Sequence, residues 1–166
     1  IDPEHTYEHM PVESVLRTSG GSIVLPLDKN PGTHLYLSDD DGLSWYYPGG
    51  RIYGIHAGVV ELGDGRLMAF GRGDNIDDRM PMSISTDTGA SWTYSASEFP
   101  PIRGGQRLVV RRLKEGPILF ISFTGSDGMA IDGRQVYGMF AAVSYDDGLS
   151  WPVKKLITAG GPPRIY

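Results

Sequence analysis

Cysteine is missing from all 166 residues, which excludes disulfides, thiolate nucleophiles and cysteine-held metals. Positive charge is scarce: 15 Lys and Arg stand against 20 Asp and Glu, for a net charge of −5. That balance argues against non-specific nucleic-acid binding, which needs a basic footprint. No apolar run approaches the roughly 18 residues of a membrane-spanning helix. No segment holds a helical period over two turns. A signal peptide is also lacking, but the chain begins at Ile1 rather than Met, so we read it as a processed product or a fragment. The missing leader therefore leaves the compartment open. Turn residues are abundant instead. The 23 Gly and 12 Pro suit many short strands joined by turns.

One octapeptide occurs three times, as Ser38–Trp45, Ser85–Trp92 and Ser144–Trp151. The shared pattern is Ser-x-Asp-x-Gly-x-Ser-Trp, with starts 47 and 59 residues apart, and it holds all three tryptophans. Repeats of this length point to a stacked or radial architecture. Around each copy the sequence reads as strands. Val12–Arg17 and Ser22–Pro26 flank a Gly turn, and Thr33–Ser38 runs into the first copy. Ile55–Leu62 and Arg66–Gly71 flank Gly63-Asp64-Gly65, Met80–Ser85 enters the second copy, and Ser91–Ser95 leaves it. Gln106–Leu113, Pro117–Phe123, Val136–Ser144 and Trp151–Ile157 repeat the scheme around the third.

Each unit is therefore four antiparallel strands, the composition of a propeller blade. The expected fold is all-β: one partial propeller over residues 1–166, with blades at 12–48, 52–97 and 103–157 and a further blade starting at 160–166. Three blades leave two open sheet edges, a liability for any sheet. The expectation is that further blades of the same protein, or self-association, close the ring.

The octapeptide reads as a hairpin connection. Asp40, Asp87 and Asp146 can accept from backbone N–H groups and fix the turn, and the Gly supplies a left-handed residue. Trp45, Trp92 and Trp151 would each cover a blade and pack against a neighbour. A calcium loop is the competing reading. It fails because its first and twelfth ligand positions would be Leu37 and Pro48, and the third copy places Tyr145 at a ligand position. No metal and no cofactor are expected.

The octapeptide resembles the Asp-box, or BNR repeat, of sialidases and related β-propeller proteins. That resemblance implies a six-bladed fold of which this chain is part, with the boxes on the blade periphery. It also implies a secreted or periplasmic protein acting on a glycan, with no membrane insertion. Asp-boxes also occur in lyases, other glycosidases, sorting receptors and non-catalytic propellers, so activity stays open between them.

A propeller meets its ligand at one mouth of its channel, near the heads of the innermost strands. Matching the turns Leu62–Gly65 and Leu113–Gly116 places His56 and Arg107 at equivalent strand heads. Both are candidate site residues, and the guanidinium suits a carboxylate. The run Val59–Arg72 resembles the corresponding sialidase blade. By that resemblance Arg72 is the arginine beside the active site, and Asp74, Asp77 and Asp78 occupy the loop of the acid/base aspartate, with Asp78 best placed. The family's Arg-Ile-Pro is replaced by Ile55-His56-Ala57, with Arg51-Ile52-Tyr53 as a displaced remnant. That departure puts sialic acid in doubt and admits β-elimination of a uronic-acid polysaccharide. Arg103 can reach over the mouth. The leading expectation is a sialidase-like hydrolase of terminal acidic sugars, with Asp78 and His56 catalytic and Arg72, Arg107, Arg51, Arg103 and Asp77 binding substrate. A lyase or a non-catalytic glycan- or protein-binding propeller is the alternative.

Overall fold

The computed structural model describes residues 10, 11 and 13–158. The expected start of a further blade at 160–166 lies outside them, as does Val12. The described residues form fourteen strands and no helix. The first sheet is β1 (Leu16–Arg17), β2 (Ile23–Lys29), β3 (Gly32–Ser38) and β4 (Arg51–Tyr53), side by side in that order. The second is β5 (Ile55–Glu61), β6 (Leu67–Arg72), β7 (Pro81–Ser85) and β8 (Thr93–Ala96). The third is β9 (Val109–Arg112), β10 (Ile118–Phe123), β13 (Met139–Ser144) and β14 (Val153–Leu156). A separate hairpin of β11 (Met129–Ile131) and β12 (Arg134–Val136) interrupts the third sheet between β10 and β13. All pairings between these strands are antiparallel, and β5 lies between β2 and β9, so the sheets are successive blades of a β-propeller.

Alternation along each strand decides what the blades bury. Val24, Leu35, Leu37 and Ile52 of the first sheet meet Ala57, Val59, Leu67 and Ala69 of the second in one core. Val60, Met68 and Phe70 point the other way and form a second core with Leu108, Val110, Ile118, Phe120 and Phe140. The apolar mass of the molecule thus sits between blades. Gly58 permits this closeness, since a Cβ there would lie 2.7 Å from Leu108 Cδ1. Gly50 does the same for the first interface: its N–H donates to Gly89 O at 3.0 Å, and a Cβ would collide with that carbonyl.

The three octapeptide turns are near copies. In each, the Asp accepts from the backbone N–H and the hydroxyl of the later Ser, and from the hydroxyl of the earlier one. For Asp87 these are Ser91 N at 2.8 Å, Ser91 Oγ at 2.6 Å and Ser85 Oγ at 2.8 Å. Asp40 and Asp146 repeat the set. The Gly N–H donates back to the first Ser hydroxyl at 2.8 Å in every copy. Hydrogen bonds from the later Ser, its hydroxyl foremost, hold all three carboxyls below the ordinary aspartate range.

The tryptophans are less uniform. Trp151 is 5% exposed and stands edge-on to Phe70 and Phe99 of the second blade, at ring distances of 6.2 and 5.2 Å. Trp92 packs against the core shared with the first blade. Each therefore covers the blade before its own. Trp45 is 41% exposed, because no blade precedes it among the described residues.

Candidate functional site

Strand direction sorts the ends of the molecule. The octapeptides follow β3, β7 and β13 at one end. At the opposite end β5 and β9 begin, and β2 and β6 finish. Asp28, His56, Arg72 and Arg107 all fall at that second end, which we call the rim.

His56 sits where β5 is irregular. The β5–β6 register shifts between Ile55 and Gly58, and His56 has φ of 50°. A non-glycine residue in that region is strained and is held there by its surroundings. Its restraints come from the first blade. The His56 N–H donates to Asp28 Oδ1 at 2.6 Å. The Thr33 hydroxyl lies 2.9 Å from the same oxygen and accepts from Ala57 N–H at 3.2 Å. His56 Nδ1 and Asp28 Oδ2 are in direct contact, without the alignment of a hydrogen bond. Both residues are buried, at 6% and 8% exposure.

Charge shapes this pair. Burial, then the cations of Arg72 and Arg107, pull His56 below the ordinary imidazole value, and Asp28 opposes them. The imidazole is neutral near neutral pH. Contact with Asp28 favours the proton on Nδ1, leaving Nε2 as the basic nitrogen. Arg72 is itself partly buried, and its Nε has no hydrogen-bond partner among the described residues. Burial and the neighbouring Arg107 lower its affinity for a proton, while Asp28 raises it. Arg107 is exposed, and its Nη1 reaches only the local carbonyls of Gly105 and Gln106, at 3.2 and 3.1 Å. Two guanidinium groups share one rim with a single buried carboxylate, an arrangement ready for an added anion.

The structure thus brings His56, Arg72 and Arg107 together. Asp77 and Asp78 are the two central residues of a tight turn, with φ of 50° and 56°, closed by reciprocal bonds between Ile76 and Arg79 at 3.0 and 2.9 Å. Both are exposed, as is Asp74. Arg103 is exposed on the loop before β9, in a turn with Gln106. Arg51 lies on β4, on the far side of the first sheet from β1, where its carbonyl accepts from the Tyr94 hydroxyl at 2.6 Å. None of these five hydrogen-bonds or ion-pairs with Asp28, His56 or Arg72 among the described residues. No group of three His, Asp or Glu able to hold a metal occurs among them either.

Two rim residues were missed from sequence. Asp28 was hidden because Pro26 ended the expected strand. β2 continues to Lys29, paired with β3 as far as Gly32, and Asp28 also bonds through both backbone groups to Met10. Pro26, two residues earlier, turns its nitrogen to that same side, where β1 no longer pairs. The other is Glu13, half-buried near Arg107 and Asp28. For Asp28 the alternation Val24, Pro26, Asp28 was the available signal. For Glu13 there was none.

A cavity of about 500 Å³ runs along the inner strands, with Glu13, Leu16, Val59, Glu61, Val110 and Arg112 among its walls, and Asp28, His56, Arg72 and Arg107 do not line it. At its far end the turns of the blades are tied together. The Glu61 carboxylate accepts from Ser19 N and Oγ at 2.7 and 2.9 Å. Arg112 donates to the Glu61 carbonyl at 3.1 Å and pairs with Asp147, which also accepts from Gly63 N at 3.0 Å.

Solved structures share this fold. A protein of unknown function from Dyadobacter fermentans aligns with a TM-score of 0.68 at 18% identity, over 90% of this chain and 42% of its own. The intramolecular trans-sialidase of Ruminococcus gnavus, in complex with oseltamivir carboxylate, gives 0.58 at 18% over 88% and 34%. A mutant of the NanB sialidase of Streptococcus pneumoniae gives 0.59 at 19% over 91% and 23%. The chain spans less than half the length of each of these proteins. No protein-family model matches the chain, and no curated protein does.

Proposed function

We propose that this chain carries part of a carbohydrate-active site that cleaves a glycosidic bond of an acidic sugar. The observation that carries the reading is the buried His56–Asp28 pair flanked by Arg72 and Arg107 at one end of the blades. Arg72 and Arg107 hold the sugar carboxylate, as guanidinium groups do in pairs. His56, neutral and held by Asp28, orients the substrate or takes a proton at Nε2. Asp78 is the proton donor nominated by the sequence, and Arg51, Arg103 and Asp77 are outer contacts of the glycan. The protein works outside the cell or in the periplasm, and its ring is closed by further blades or by another copy.

Hydrolysis is the leading reaction, in keeping with the sialidases that share the fold. The neutral His56 beside two guanidiniums favours one second reading. That arrangement also suits a lyase, with the arginines neutralising a uronate carboxylate while Nε2 removes the adjacent proton. Digestion of acidic oligosaccharides in ¹⁸O-labelled water separates the two. Hydrolysis places the label in the product. Elimination leaves it out and produces the ultraviolet absorbance of an unsaturated uronate. If acidic oligosaccharides bind wild type and the Arg72→Ala, Arg107→Ala double variant equally, the reading fails.

A further inference from the structure

The octapeptides give the three blades a common register. Ser38, Ser85 and Ser144 are cross-strand partners of Ile23, Leu67 and Ile118. Those residues pair on their other side with Arg17, Glu61 and Arg112 of the inner strands. Counting towards the rim from these pairs, Asp28 of the first blade is equivalent to Arg72 of the second, and His56 of the second to Arg107 of the third. Asp28 meets His56 across the boundary of the first and second blades. The equivalent positions at the next boundary are Arg72 and Arg107. One boundary is closed by opposite partners from the chain itself. The other sets two cations against each other, and there Arg72 Nε is buried without a hydrogen bond.

The loop before β9 brings a third cation. Its two feet, Ile102 and Leu108, are fully buried. The Ile102 carbonyl accepts from Gly73 N–H at 3.1 Å, so Arg103 starts beside Arg72. Leu108 lies against Gly58 of β5, which holds Arg107 at the rim. Between the feet the loop folds on itself: Gln106 Oε1 accepts from Arg103 N–H at 3.4 Å, and Arg107 Nη1 donates to Gly105 O at 3.2 Å. Arg103 and Arg107 are both exposed. None of the three arginines ion-pairs among the described residues, whereas Arg17, Arg66 and Arg112 at the octapeptide end each hold an aspartate.

We propose that the site takes a run of at least two acidic sugars, with one carboxylate between Arg72 and Arg107 and the carboxylate of the neighbouring sugar on Arg103. The proposal rests on the carbohydrate reading above and narrows its substrate class from a single acidic sugar to an oligouronide. A carboxylate shared by Arg72 and Arg107 relieves the repulsion that their equivalent positions impose. The Gly73–Ile102 hydrogen bond spaces its two chains by about 4.8 Å, comparable with the advance of one sugar unit along a glycan.

The test is calorimetry with trimers of galacturonate, glucuronate and mannuronate. Each is compared with the same trimer carrying two methyl esters and one free carboxylate. Wild type should bind a fully charged trimer about tenfold tighter than its ester. Arg103→Ala should remove that preference, weakening the charged trimer about tenfold and leaving the ester unchanged. An unchanged urea midpoint verifies that the variant folds. Arg66→Ala, at the opposite end of the second blade, should alter neither affinity. Equal binding of trimer and ester by wild type, an equal loss of both in Arg103→Ala, or the same loss in Arg66→Ala overturns the proposal. If the Arg72→Ala, Arg107→Ala double variant loses both ligands while Arg103→Ala loses neither, the carbohydrate reading stands and the second subsite falls. If no trimer binds wild type, both fall.

Discussion

The two ends of these blades treat polar groups in opposite ways. At the octapeptide end each Asp is saturated by Ser hydroxyls and backbone N–H groups, and the set recurs three times with almost unchanged distances. At the rim, polar groups are buried and left short of partners. Among the described residues, the buried side-chain polar atoms without a hydrogen bond are Asp28 Oδ2, His56 Nδ1 and Arg72 Nε at the rim, with Trp92 Nε1 and Ser122 Oγ elsewhere. A backbone strained at His56 belongs to the same end. Saturated groups hold a fold together. Asp28 Oδ2 and His56 Nδ1 at least contact each other, and Trp92 belongs to an octapeptide, so Arg72 Nε is the rim atom that a ligand could serve. The comparison underlies the division proposed above, in which one end stabilises the fold and the other binds.

Four measurements can break or sharpen that division. The largest effect belongs to Trp151→Ala, which empties the interface between the second and third blades. It should cost about 3–5 kcal/mol in urea unfolding, while Trp45→Ala stays within about 1 kcal/mol because that ring is already exposed. Equal costs would mean that the three copies pack alike. Next come Arg72→Ala and Arg107→Ala. Each should weaken acidic-oligosaccharide binding by about 10–150-fold by calorimetry, the range of a charge-assisted contact, with the urea midpoint unchanged or higher. Asp87→Asn should do the reverse: the urea midpoint falls and glycan affinity stays put. A changed affinity there would end the division of labour.

The smallest effect is in pH. His56 has its folded value below the ordinary imidazole value, so the unfolded chain binds the proton more readily. Stability attached to His56 is therefore complete above about 6.5 and falls as the pH drops through that value. Glu13 pulls the other way. Its raised folded value means the fold is favoured while it is protonated, and that contribution is lost as the pH rises towards 7. The octapeptide carboxyls hold until the pH falls below the ordinary aspartate range. Urea midpoints should show His56→Gln removing a slope on the acid side of neutrality, and Glu13→Gln gaining most above pH 7.

How far the sequence carried the reader follows the same division. The octapeptide end was legible because its chemistry is local. A Ser, an Asp and a Gly within a few positions of one another make the whole turn, so spacing alone reveals it. His56 and Arg107 could be singled out by counting from the Gly turns at Gly65 and Gly116, whose hydrogen bonds to Leu62 and Leu113 are alike, and Arg72 by the resemblance of its blade to that of sialidases. What stayed hidden depends on other blades. Asp28 acts on a residue 28 positions away, across a blade boundary. The fourth strand of the first sheet, Arg51–Tyr53, is short and pairs only through Thr33 and His34, too little to leave a pattern. The β11–β12 hairpin is likewise three residues a side, and its order comes from Ile131 entering a core built elsewhere.

The apolar mass lies in two separate pools, one between each pair of blades. Such a chain behaves as a short row of neighbours rather than a single block, with stability summed over contacts between adjacent units. The middle blade has a neighbour on both sides, and each flanking blade has one among the described residues. In this chain measured alone, without the further blades or second copy that would close the ring, amide hydrogen exchange should follow that order. Protons on β5 and β6 exchange last, and those of the first and third blades leave earlier through openings that spare the centre. His56 and Arg72 belong to the slow blade, whereas Asp28 and Arg107 belong to its quicker neighbours. The proposed site would thus straddle three opening units of this chain measured alone.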